Sequence, residues 1–106
     1  MAWLERRRWW RDKGLPALRI LALEYWDPEG VYDDPMRIDT YDPYLERVGR
    51  MLRRGKGVPD IASYLSAVRT KAFGRDENEE TDQSFAERIV AWYVLEAPDD
   101  GPATPM

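Results

Sequence analysis

Six carboxylates fall within residues 27–42: Asp27, Glu29, Asp33, Asp34, Asp39 and Asp42, with Glu24 just ahead and Arg37 as the only base among them. Close carboxylates can hold a hard cation such as magnesium or calcium. They can also divide their pKa values, so that one serves as acid and its neighbour as base. The spacing is not that of an EF-hand loop, because Gly30 stands three residues after Asp27 and the acids do not alternate as that loop requires. Asp also closes Asx-turns and caps helices through its own backbone, and Asp27 before Pro28 and Asp42 before Pro43 read in that way. Taken together, Asp27, Glu29, Asp33, Asp34 and Asp39, with Tyr41 and Tyr44, form a candidate contact surface for a protein partner. Tyrosine and tryptophan are common anchors of such surfaces, although they are more often core.

Two basic groups stand apart from this loop. Arg47, Arg50 and Arg54 share one helical face opposite Leu45 and Leu52. They can grip a phosphate or an acidic partner, or simply form a solvated face near a helix C-terminus. At the N-terminus Arg6, Arg7, Arg8, Arg11 and Lys13 are interleaved with Trp3, Trp9 and Trp10. Such a mixture suits a membrane interface or stacking on single-stranded nucleic acid, and equally a first helix with Trp turned inward.

Absent residues narrow the chemistry further. The chain of 106 residues has no Cys and no His, which removes disulfides, thiol nucleophiles, Ser-His-Asp triads and ordinary zinc sites. The net charge of −4 argues against a dedicated nucleic-acid binder. No apolar run reaches the roughly 20 residues a membrane helix needs, and Arg11, Asp12 and Lys13 interrupt any secretory leader. Cytoplasm is therefore the expected location. No cofactor, metal ligand or catalytic residue is assigned, and the pattern is compatible with a homodimer.

The elements that must position these residues are helical. With 43% hydrophobic and 12% aromatic residues, one core is expected over residues 1–96 and a disordered tail over 97–106. Gly14 is expected to break or bend the N-terminal segment, and Pro16 to open a helix with Leu18, Leu21, Ala22 and Tyr25 on its inner face. That helix stops at Trp26-Asp27-Pro28. A long ordered loop follows, with a short turn of helix around 36–40. Asp42 is read as the N-cap of a helix reaching about Arg54, seamed by Leu45, Val48 and Leu52. Pro59 opens the next, with Ile61, Leu65, Val68 and Ala72 as its inner stripe and Gly74 as its C-cap. Thr81 or Asp82 is expected to cap a last helix bearing Phe85, Ile89, Trp92 and Tyr93. The fold class is all-α, a small four- to five-helix bundle with one long ordered acidic loop. Within that loop Trp26 should be buried, Gly30 should permit a positive φ, and Asp27 should accept from amides one to three residues ahead. Losing this acceptor should cost about 0.5–2 kcal/mol, as cap removal does.

Trp26-Asp27-Pro28-x-Gly30-Val31, then Asp39-x-Tyr41-Asp42-x-Tyr44, then Ile61-x-x-Tyr64-Leu65 resembles a family of small bacterial proteins defined as a domain of unknown function. There a Trp-Asp-Pro-(Ile or Leu)-Gly loop joins two helices, and an Asp-Glu-Tyr-Asp-x-Tyr stretch leads into the next. The likeness covers roughly residues 18–72, departing at Glu29, where an aliphatic residue is usual, and at Thr40, where Glu is usual. It implies a compact helical fold in bacterial cytoplasm, with some relatives resembling immunity proteins, and it lends no catalytic residue.

The function expected from these readings is a non-enzymatic, cytoplasmic, immunity- or adaptor-like module that binds an unidentified protein through loop 27–42. Its rivals are a carboxylate-held divalent metal acting on a phosphorylated small molecule gripped by Arg47, Arg50 or Arg54, and membrane-surface association through the Arg/Trp-rich N-terminus.

Overall fold

A computed structural model describes the backbone of residues 2–98 and the side chains from residue 4 onward. α1 (Ala2–Trp9) does not end at a break: it widens into a π-turn over Trp10–Gly14 and continues as α2 (Leu15–Tyr25). Gly14 stays helical, with φ −67° and ψ −56°, and the Leu15 N–H donates five residues back to the Trp10 carbonyl. The expected break is therefore a local widening. Pro16 supplies the reason, since a proline within a helix has no N–H to donate and its ring crowds the carbonyl four residues back. Gly14 is needed there for space. A Cβ on it would lie 2.5 Å from Trp10 Cε3 and 2.7 Å from Trp9 Cζ3.

After the loop and a 3₁₀ turn at Pro35–Arg37, α3 runs Asp42–Arg53. Asp42 is not its cap, contrary to the sequence expectation. Tyr41 holds the cap position without a side-chain bond, and Asp42 instead pairs with Arg19 of α2 at 2.6 Å. A charge-assisted bond across two helices replaces a cap bond here, and the carboxylate still lies in the favourable first turn of α3. A Schellman closure ends α3: Lys56 N–H donates to the Met51 carbonyl and Gly55 N–H to that of Leu52, with Gly55 at φ +80°.

α4 (Val58–Ala67) also passes into a π-turn, Val68–Ala72. The stripe of Ile61, Leu65 and Val68 is buried as expected, but Ala72 is exposed. Phe73 N–H donates to the Val68 carbonyl, so the wider turn shifts the inward phase by one residue. Phe73 takes the place against the core that Ala72 would hold in an unbroken α-helix. Gly74, at φ +63°, ends the segment as expected.

α5 (Glu79–Glu96) begins earlier than Thr81 or Asp82, because Asn78 is the cap and its Oδ1 accepts from Thr81 N–H at 3.1 Å. Phe85 and Ile89 are buried; Trp92 and Tyr93 are half-buried, and Trp92 stacks on Trp9 with centroids 5.9 Å apart. α5 packs most extensively on α4, and α2 lies against α3 and α5. All regular structure among the described residues is helical, giving a small all-α bundle. Of the tail expected over 97–106, residues 99–106 lie outside the described residues.

Candidate functional site

The loop is built from its first residue. Asp27 has φ +37°, a left-handed conformation that Asp tolerates better than most residues. Gly30, at φ +64°, then turns the chain back, its N–H donating to the Asp27 carbonyl at 3.1 Å. Together these bends wrap the following backbone around the Asp27 carboxylate. Its Oδ1 accepts from Val31 N–H at 2.9 Å and from the Tyr41 hydroxyl at 2.7 Å, and its Oδ2 accepts from Tyr32 N–H at 3.0 Å. The donors are four and five residues ahead, not one to three. The expected short Asx-turn is thus a wider clasp that reaches the next helix through Tyr41.

Tyr41 closes the clasp. Its oxygen also accepts from Glu29 N–H at 2.8 Å, and its ring is 1% exposed. Burial first, then donation to Asp27, pushes the phenol well above its ordinary pKa. It is held as a hydrogen-bond donor rather than as a base. Phe73 meets Tyr41 edge-on at 5.7 Å and Tyr44 at 5.3 Å, so Tyr44 is partly buried against the core.

Beneath the loop, Trp26 is buried as expected, and its Nε1 donates to Asp82 Oδ1 at 2.8 Å. Arg69 Nε donates to the same carboxylate at 3.1 Å, and both charged residues are buried. Arg69 Nη2 lies 3.1 Å from Asp82 Oδ1 but outside hydrogen-bond alignment, and it has no other partner. Sequence reading missed this pair. A signal existed: Asp82 precedes Phe85 by three residues and shares the apolar phase of α5 with Ala86 and Ile89. A charge in that phase needs a buried partner.

The seven residues read as a contact surface therefore divide. Asp27 and Tyr41 are engaged in the clasp, Tyr44 packs on the core, and Glu29 pairs with Arg75 at 3.1 Å. Asp34 caps the 3₁₀ turn, accepting from Met36 N–H at 3.0 Å. Only Asp33 and Asp39 of that set are exposed. Among the described residues no three acidic side chains gather closely enough to hold a metal ion.

Besides Asp33, Arg37 and Asp39, the loop exposes large apolar side chains. Tyr32 is 68% and Met36 86% exposed, and Ile38 is exposed as well. Tyr32 shares a shallow groove with Ile20, Leu23, Glu24 and Tyr25 of α2. Ile20 is 57% exposed, and Arg88 covers one face of Tyr25 at 3.9 Å from the ring centroid.

No protein-family model matches the chain, and comparison with curated proteins and with solved structures gives no match. No helix among the described residues is long and apolar enough to cross a membrane.

Proposed function

We propose that this domain is a non-enzymatic protein-binding module of cytoplasmic, adaptor or immunity type, whose contact surface is the loop 27–42 together with the adjoining face of α2. The observation that carries this reading is the contrast within the loop. Its base is clasped by Asp27, Tyr41 and Trp26, yet Tyr32 and Met36 stand in water. A loop held this firmly gains nothing for its own stability by exposing large apolar side chains. A pre-ordered surface does lower the entropic cost of binding a partner. Exposed Glu24, Asp33 and Asp39 accompany the apolar groove, so the partner's complementary feature is an apolar segment flanked by Lys or Arg.

Selection of displayed peptides on the folded domain tests this. The expected winners pair apolar anchors with Lys or Arg, and they lose binding when Tyr32→Glu or Ile20→Glu is introduced. Absence of enrichment, or peptides indifferent to both substitutions, would refute the surface.

A further inference from the structure

Two sets of arginines in this chain contrast. Arg11, Arg19, Arg69 and Arg75 each meet a carboxylate within 3.1 Å. Arg47 and Arg50 on α3, and Arg54 at its C-cap, three and four residues apart, are exposed and make no ion pair within the described residues. They line one concave surface between α3 and α4 together with Lys56, with Tyr64 as its wall and Asp60 as the only acid among its described lining residues. The Arg47 guanidinium lies 5.7 Å from the centre of the Tyr64 ring. The two ends of a helical i, i+4 pair of like charges repel, and Arg50 and Arg54 are such a pair. Neighbouring Arg53 shows the same crowding. Burial, and then Arg50, Arg54 and Arg6, lower the pKa of its guanidinium, which rests 5.6 Å from the centre of the Trp10 ring. A chain with net charge −4 thus concentrates bases against one another around a concavity that holds Asp60 as its counter-charge.

We infer that this groove is a binding site for a small anion carrying two or more linked phosphoryl groups. Two features set the class. Guanidinium groups match phosphate oxygens in paired, charge-assisted hydrogen bonds. Arg47 to Arg54 also spans roughly 10 Å along the helix axis at ~1.5 Å per residue, a row of bases that a chain of linked phosphoryl groups can engage at several points. The helix C-terminal dipole favours Arg50, in the last turn of α3, and Arg54 at its C-cap, but its effect fades within that turn and Arg47 lies beyond it. This site is independent of the protein-binding surface proposed above.

Calorimetric titration with inorganic triphosphate, orthophosphate and sodium chloride at matched ionic strength tests it. Triphosphate should bind saturably at one site, and orthophosphate at least about tenfold more weakly. Arg50→Gln/Arg54→Gln should weaken triphosphate at least about tenfold, the loss expected for charge-assisted hydrogen bonds, with the circular dichroism spectrum and urea midpoint unchanged. Arg37→Gln, an exposed base in the loop, should leave binding intact. A response equalled by sodium chloride, unchanged binding in the double variant, or equal loss in Arg37→Gln would each overturn the site. If the double variant unfolds, Arg47→Gln alone decides on the same criteria. A nucleoside triphosphate that binds more tightly than inorganic triphosphate would assign the base to the Tyr64 wall.

Discussion

Replacing Asp27 measures how much of the loop rests on one carboxylate. Asp27→Ala strands two donors that are themselves buried or on buried residues, Val31 N–H and the Tyr41 hydroxyl. Each stranded buried donor costs about 1–3 kcal/mol. The third donor, Tyr32 N–H, belongs to an exposed residue and can return to water. Alanine must also adopt φ +37°, adding about 1 kcal/mol. The expected loss is about 3–7 kcal/mol, well above the 0.5–2 kcal/mol of a simple cap. Asp27→Gly removes the same bonds but not the backbone freedom, so it should cost about 1 kcal/mol less than alanine. Asp27→Asn can keep an oxygen at the Oδ1 position and turn its NH₂ toward Tyr32; losing charge assistance and one acceptor should cost about 1–2 kcal/mol. Urea unfolding followed by tryptophan fluorescence gives all three values, and hydrogen exchange at the Val31 amide shows whether the loop opens before the bundle does. An alanine cost below about 1 kcal/mol, with Val31 still protected, would refute the clasp. Equal costs for asparagine and alanine would show that charge, not acceptor geometry, holds the loop.

Asp82→Asn should cost about 3–5 kcal/mol, because it leaves the buried Arg69 without its counter-charge. The paired replacement Arg69→Met/Asp82→Leu should be less destabilising than Asp82→Leu alone, by at least about 1 kcal/mol in urea unfolding; no recovery would mean the two residues are not coupled. The Tyr41 phenol is raised in the folded state, so above about pH 10 the unfolded chain loses that proton first and stability falls with rising pH, by at most about 1.4 kcal/mol per unit. Tyr41→Phe removes this contribution, and its unfolding free energy should decline less steeply than that of the parent between pH 9.5 and 11, roughly the interval in which a free phenol titrates.

The helices themselves were legible because their apolar residues recur at the helical period and their ends carry strong local signals. Ile61, Leu65 and Val68 mark α4, Gly55 and Gly74 end segments in left-handed conformations, and Pro28 follows the end of α2. The loop was legible in part. Buried Trp26, the turn at Gly30 and an accepting Asp27 follow from neighbours in sequence. What did not follow were bonds to residues far along the chain: Arg19 to Asp42, Trp26 and Arg69 to Asp82, Glu29 to Arg75. An acid reads the same in sequence whether it faces water or an arginine on another helix. The acidic loop therefore looked like a charged surface, whereas four of its six carboxylates, Asp27, Glu29, Asp34 and Asp42, are engaged within the fold and its exposed bulk is Tyr32 and Met36.

The two π-turns show why period alone could not settle the interior. Each adds a residue to one turn and rotates everything after it, and each coincides with a contact that a strict α-helix would misplace. At Trp10–Gly14 the wider turn accompanies an indole laid so closely on α3 that a Cβ on Gly49 would come within 2.4 Å of Trp10 Cζ2. At Val68–Ala72 it accompanies Arg69 on Asp82 and Phe73 on Tyr41 and Tyr44. Wide turns of this kind are rare and often lie at functional sites. The second stands directly behind the loop. Phe73 braces Tyr41, Tyr41 holds Asp27, and Asp27 fixes Val31 and Tyr32. The order of the exposed tyrosine is thus set by a phase shift in α4, more than thirty residues along the chain.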